Sequence, residues 1–309
     1  MNDADAGTGQ VPLQMNNHGL FDRAVCLSLA MGCLGTRRKV AATSIQVDAD
    51  KDMLHVSKAI LESEELDAIK TFDGEMRVWL AKRALPSPFR RGTYLIPLDL
   101  VEQVDGKIVE YQEKRRFLTD AFLAAYDSSV ESAKKRLNGL FNAADYPGAD
   151  KVRAAFYVDV RYLAFGVPEK LEGIRKDLFE REKAKAETKW REASEEVRQA
   201  LRAGLADVVD HMVERLQGNG DGKPKVFRDT LVENMSEYLE LFDPRNITDD
   251  IQLAQLVGRC KNVLDGVDAD ALRASDAIRV KVKTGMQEVQ AVLDTMVIDR
   301  PARRIVLED

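Results

Sequence analysis

The stretch 168–216, PEKLEGIRKDLFEREKAKAETKWREASEEVRQALRAGLADVVDHMVERL, has no proline after its first residue and glycine only at Gly173 and Gly204. Glu, Lys, Arg, Ala and Leu fill most of it, and these are the strong helix formers. As one helix it would be about 70 Å long at ~1.5 Å per residue. Leu171, Ile174 and Leu178 begin an apolar stripe, which the charged run 180–189 interrupts. The stripe resumes through Trp190, Ala193, Val197, Leu201, Leu205, Val208, Met212 and Leu216. A charged middle between two seams reads as an exposed arm that packs antiparallel on the other long helix near its ends, with a break allowed inside 180–190. The balanced charges suit the salt-bridge-laced surface of a coiled coil.

That other helix is expected over 104–141, where Ile108, Tyr111, Leu118, Phe122, Val130, Leu137 and Leu140 recur at helical steps. Before it, Val25, Leu27, Leu29 and Met31 alternate with small residues, which predicts a strand; 43–47 reads as a second short one. A helix is expected from Leu54, capped by Asp52 or a neighbour, followed by a second around Met76–Leu80 that ends before Pro86 and Pro88. Phe156–Phe165 alternates again and reads as a strand able to pair with 25–31. Helices follow over 227–242, from Thr248 as N-cap to Leu264, and over 269–297 beyond a turn at Gly266. Residues 304–307 could form an edge strand beside the first.

The expected fold class is therefore mainly α with a small β component (α+β), with long antiparallel helical hairpins on a small mixed base. The division is a disordered segment at 1–18, an α+β base with the first long helix at 19–167, a helical arm and bundle at 168–298, and a tail at 299–309. Only 6% aromatic residues and 9 prolines among 309 residues agree with helices and argue against a sandwich or barrel.

The formal net charge of −6 creates no global attraction for nucleic acid, so any such binding needs a local basic patch. Arg37, Arg38, Lys39, Arg90, Arg91, Arg303 and Arg304, with Arg300, are the residues that would build one if loops and termini meet; the same loops could serve an acidic partner. Solvated surface charge is the simpler reading of each. Cys26, Cys33 and Cys260 are odd in number and lack metal-ligand spacing, which fits a reducing cytoplasm. No signal-peptide pattern opens the chain, and no apolar run is long enough to span a membrane.

Chemical motifs fail one by one. Asp48, Asp50 and Asp52 open like a calcium loop, but Met53 stands where glycine is needed and Ala59 where a glutamate belongs. Gly218-Asn-Gly-Asp-Gly-Lys-Pro224 departs from a phosphate loop at Gln217 and Pro224 and reads as a hairpin tip. His18, His55 and His211 stand in unrelated contexts. Glu64-Glu65 and Glu195-Glu196 point about 100° apart on a helix and cannot share a substrate. Neither a catalytic residue, a cofactor nor a metal is expected, and the chain reads as non-enzymatic.

The strand Val25–Met31 leading into Gly35-Thr-Arg-Arg-Lys39, then Arg90-Arg-Gly92 and Leu95-Ile-Pro97 before a long helix, resembles a family of uncharacterised helical proteins encoded by phages and mobile elements. Its members are often found near MoxR-type AAA ATPases and von Willebrand A proteins. The resemblance covers about residues 20–165 and brings no catalytic residues with it. It implies an accessory protein working with an ATPase partner. Adaptor or self-assembling structural protein is the leading expectation, with homo-oligomers as one form. DNA-binding accessory protein of recombination or packaging, and inhibitor of a host enzyme, are the alternatives.

Overall fold

The computed structural model describes residues 20, 22–41, 46, 48, 50, 53–87, 92–164, 166–217 and 229–297. Strand β1, Ala24–Met31, is the centre of a three-stranded antiparallel sheet. On one side lies β4, Thr93–Pro97, in the register Cys26 to Leu95; on the other lies β5, Val158–Leu163, with Leu29 opposite Val160. A separate ribbon pairs β2, Arg37–Val40, with β3, Val56–Ala59. Ten α-helices account for most of the other described residues. They are α1 Glu64–Arg83, α2 Val101–Leu137, α3 Ala149–Ala155, α4 Lys170–Ile174, α5 Lys176–Leu216, α6 Asp229–Glu240, α7 Phe242–Arg245, α8 Ile251–Val263, α9 Ala269–Ala274 and α10 Asp276–Met296. The molecule is mainly α with a small β part.

The alternation read in β1 has a structural purpose on both faces. Val25, Leu27, Leu29 and Met31 point towards α1 and α2, where they join Met76, Leu80, Val104, Ile108 and Tyr111. The small residues Ala24 and Cys26 face the other way and, with Leu95 and Leu85, enter the core of the C-terminal helices. Small side chains on that face let the helices approach closely. The sheet is thus covered on two sides, and each fully buried aliphatic side chain contributes roughly 1.5–3 kcal/mol.

Helix α1 is capped by Ser63, whose hydroxyl accepts from the Leu66 N–H, with Glu64, Glu65 and Asp67 in its first turn. The helix expected from Leu54 does not form. Val56–Ala59 is strand β3 instead, Ile60 and Leu61 are buried in the connection, and the two expected helices are one continuous α1. The sequence misled here because the partner of β3 lies on a remote segment, Arg37–Val40, whose own pattern is polar. Asp52 lies outside the described residues, as do 43–45 and 47 of the expected second strand.

The α1–α2 pair is an antiparallel hairpin. Leu66 and Ile69 meet Phe122 and Tyr126 at one end, while Met76 and Leu80 meet Ile108 and Val104 at the other. The long stretch after Pro168 breaks at Arg175, ahead of the charged run and not inside it. Helix α5 does not pack along α2. It lies against α10 and α6, burying Val197, Leu201, Leu205, Val208 and Met212 with Val282, Met286 and Val289. Its first part, up to Lys189, has only Phe179 buried, and exposed pairs such as Glu182–Lys185 and Lys189–Glu192 run along this stretch.

Two smaller expectations change in detail. Asp250, not Thr248, caps α8, accepting from the Leu253 N–H, and the neighbouring Ile251 is exposed. The final helix is interrupted at Ser275, which caps α10. Both sheets of the base are antiparallel. Gly285 has no room for a side chain: an added Cβ would sit 2.6 Å from Val263 Cγ2, so glycine lets α8 cross α10. Most of the hairpin tip after Gln217 and the 304–307 tail lie outside the described residues, and β1 already has a partner on each side.

Candidate functional site

Two features remain once packing has been accounted for: a groove between α1 and α2, and the basic ribbon. Beneath the groove lies a sealed polar latch. Arg115 on α2 donates from Nε to Asp73 Oδ1 at 2.7 Å and from Nη2 to Asp73 Oδ2 at 3.0 Å. The same Nη2 reaches the Gly32 carbonyl at 2.6 Å, and Tyr111 donates its hydroxyl to Asp73 Oδ1 at 2.5 Å. Arg115 is 2% exposed and Asp73 4%. Burial works against the Arg115 charge, yet the Asp73 hydrogen bonds and neighbouring charges raise its pKa above the ordinary guanidinium value. Burial, then the Asp73 hydrogen bond, pushes the Tyr111 hydroxyl up, which keeps it a donor. The triad ties β1, α1 and α2 together: the carboxylate on α1 is satisfied by two donors from α2, and the same guanidinium reaches the backbone at the end of β1.

Above the latch the groove opens as a cavity of about 400 Å³. Phe72, Met76, Val78 and Trp79 from α1 and Tyr111 from α2 form its apolar lining; Lys82, Lys107, Lys114, Glu75, Glu110 and Glu237 bring charge to it. Phe72 stacks on Tyr111 with ring centroids 5.1 Å apart, and the Lys114 ammonium lies 4.5 Å from the Phe72 centroid. Trp79 carries the Arg83 guanidinium at 4.1 Å from its ring. Burial lowers the Arg83 pKa, partly offset by the charge and hydrogen bond of Glu237. Glu237, from α6, closes one end by pairing with Lys82 at 2.9 Å and Arg83 at 3.5 Å. Arg245 fixes that end further, donating to the carbonyls of Lys82, Leu241 and Tyr238.

The groove residues were legible only as core. Phe72, Met76 and Trp79 follow helical spacing and read as inward positions, and nothing local sets the half-covered ones apart from Leu66 or Leu80.

Of the sequence-derived basic residues, Arg37, Arg38 and Lys39 are consecutive on β2, so they divide between the two faces of the ribbon. Arg38 turns back, donating to the carbonyls of Gly35 and Arg37, both at 3.0 Å. Its cross-strand neighbour Lys58 pairs with Asp145 at 2.6 Å. Arg37 and Lys39 are exposed on the opposite face, beside the exposed Ala59 and Ser57. Arg90, Arg91, Arg300, Arg303 and Arg304 lie outside the described residues.

Cys33 is exposed, while Cys26 and Cys260 are buried. Burial pushes the Cys26 thiol up to about 11 and the Cys260 thiol up to about 12, so neither is a nucleophile at neutral pH. Burial also raises Cys33, helped by Asp73 and opposed by Lys70 and Arg115. Among the described residues no group of His, Cys, Asp and Glu could hold a metal ion, and no helix is long and apolar enough to cross a membrane. No family model, curated protein or solved structure matches the chain.

Proposed function

We propose that this chain is a non-enzymatic interaction protein that receives a segment of a protein partner in the α1–α2 groove. The supporting observation is the groove itself: a cavity of about 400 Å³ with aromatic walls and charge at its rim, built on a hairpin that a buried ion pair holds in register. Asp73 and Arg115 are buried beneath it, and Tyr111 joins them to the cavity wall. A role as a phage or mobile-element accessory protein, with an AAA ATPase as partner, rests on the motif resemblance alone. The three free cysteines support a reducing, cytoplasmic setting.

The test is site-specific photocrosslinking in native cells. A benzophenone side chain at Val78, in the groove, is compared with one at Val280, exposed on α10. A discrete protein adduct from Val78 that survives nuclease and is absent from Val280 is the expected result. Equal adducts from both positions, or none from Val78, would count against the reading.

A second reading, nucleic-acid binding, has one observation in its favour: a two-stranded ribbon with Arg37 and Lys39 exposed beside small partners, a shape the major groove admits. Adducts that vanish with nuclease would bring it forward.

A further inference from the structure

The charges around the groove balance in number, three of each sign, but not all of them are paired. Lys82 is paired with Glu237, and Lys107 with Glu110 at 3.1 Å. Glu75 on α1 faces the cavity with no cation on it among the described residues, and Lys114 on α2 has an aromatic face but no carboxylate. They do not pair with each other. The register explains why. Phe72 stacks on Tyr111, and the helices are antiparallel. Glu75 is therefore displaced from that stack towards one end of the groove and Lys114 towards the other, three residues each. At ~1.5 Å per residue their backbone levels stand about 9 Å apart along the groove, with Phe72 and Tyr111 between.

Resting on the reading of the groove as a docking site, we infer the chemistry of its occupant. It is a peptide segment with a basic residue for Glu75, an acidic residue for Lys114, and large apolar or aromatic side chains between them. The Lys114 ammonium reaches back over the Phe72 ring, so the two charges stand closer than their backbone levels; at most three residues of extended chain, at ~3.3 Å each, separate the basic and acidic residues. The apolar residues fill the cavity and supply most of the binding; the two rim charges select the partner.

The test uses the full chain and four fluorescent octapeptides read by anisotropy. Gly-Ser-Lys-Leu-Phe-Glu-Gly-Ser carries the inferred pattern; the others replace its two charged residues by two lysines, two glutamates or two glutamines. The mixed-charge peptide binds tightest, by roughly fivefold over each like-charged one, as partly exposed charge pairs allow. Lys114→Glu moves the preference to the two-lysine peptide, a reversal that loss of folding cannot produce. Val78→Arg, which puts a charged side chain into the cavity, abolishes binding of all four. If the peptides bind alike and Lys114→Glu changes nothing while Val78→Arg still abolishes binding, the inferred pattern is wrong and the docking groove stands. If none binds, or Val78→Arg has no effect, the groove is not the site and both readings fall.

Discussion

Helices α2 and α5 are both long, yet they bury different kinds of surface. The inner face of α5 is apolar and tightly fitted: Ala200, Leu201, Leu205, Val209 and Met212 are at most 1% exposed. The inner stripe of α2 includes Tyr111, Arg115 and Thr119, and the groove with α1 is left partly open above them. An apolar seam gains free energy from any close fit, so it specifies a register weakly. A buried ion pair satisfied by three acceptors tolerates one register only, because a one-residue shift would strand the charge. The difference suggests a division of labour: the α5 bundle supplies cohesion, and the α1–α2 layer holds Phe72, Trp79 and Tyr111 in place around a cavity.

That comparison can be broken most decisively at the latch. Asp73→Ala leaves Arg115 buried without a carboxylate and is expected to cost about 3–5 kcal/mol in urea unfolding. Replacing Arg115 as well, by Met, should restore part of that loss. A double variant as unstable as the sum of the singles would show that the pair does not act as a unit. In the bundle, Leu205→Ala removes a fully buried side chain and should cost about 3 kcal/mol, within the usual range for a large-to-small core change. It should leave peptide binding in the groove intact, whereas Asp73→Ala should weaken it at temperatures where the chain is still folded.

A smaller effect tests the polar link inside the bundle. Asp250 is capped onto α8 and paired with Arg202 at 2.7 Å. Burial opposes its charge, but the Arg202 hydrogen bond and the Leu253 N–H outweigh burial and hold its pKa below the ordinary carboxylate value. Its contribution is therefore present above the unfolded-state value near 4 and is lost as pH falls through the lower folded value. Asp250→Asn should lower stability at neutral pH and flatten the acid limb of the stability curve. An unchanged acid limb would show that other carboxylates govern it.

How far the sequence carried this picture depended on how local the determinant was. The period of α5, the alternation of β1 and the strand at Val158–Leu163 were legible because each repeats its own signal several times. The partner of α5 was not, since the apolar seams of α2 and α10 look alike, and only the assembled molecule shows Val282 and Met286 filling the gap. The ribbon was missed because Arg37–Val40 carries no apolar alternation. The groove was missed for a related reason. Trp79 and Tyr111 read as core, and the significance of Glu75 and Lys114 appears only when the antiparallel register sets them at opposite ends of one cavity.

The chain offers a built-in reporter for the central claim. It has 2 tryptophans: Trp79 lines the groove and Trp190 is buried on α5. We would titrate ¹⁵N-labelled protein with the mixed-charge octapeptide and follow both indole N–H resonances. The account predicts a saturable shift of Trp79 with Trp190 unmoved. A shift confined to Trp190, or no shift of Trp79 at peptide concentrations that saturate anisotropy, would contradict it.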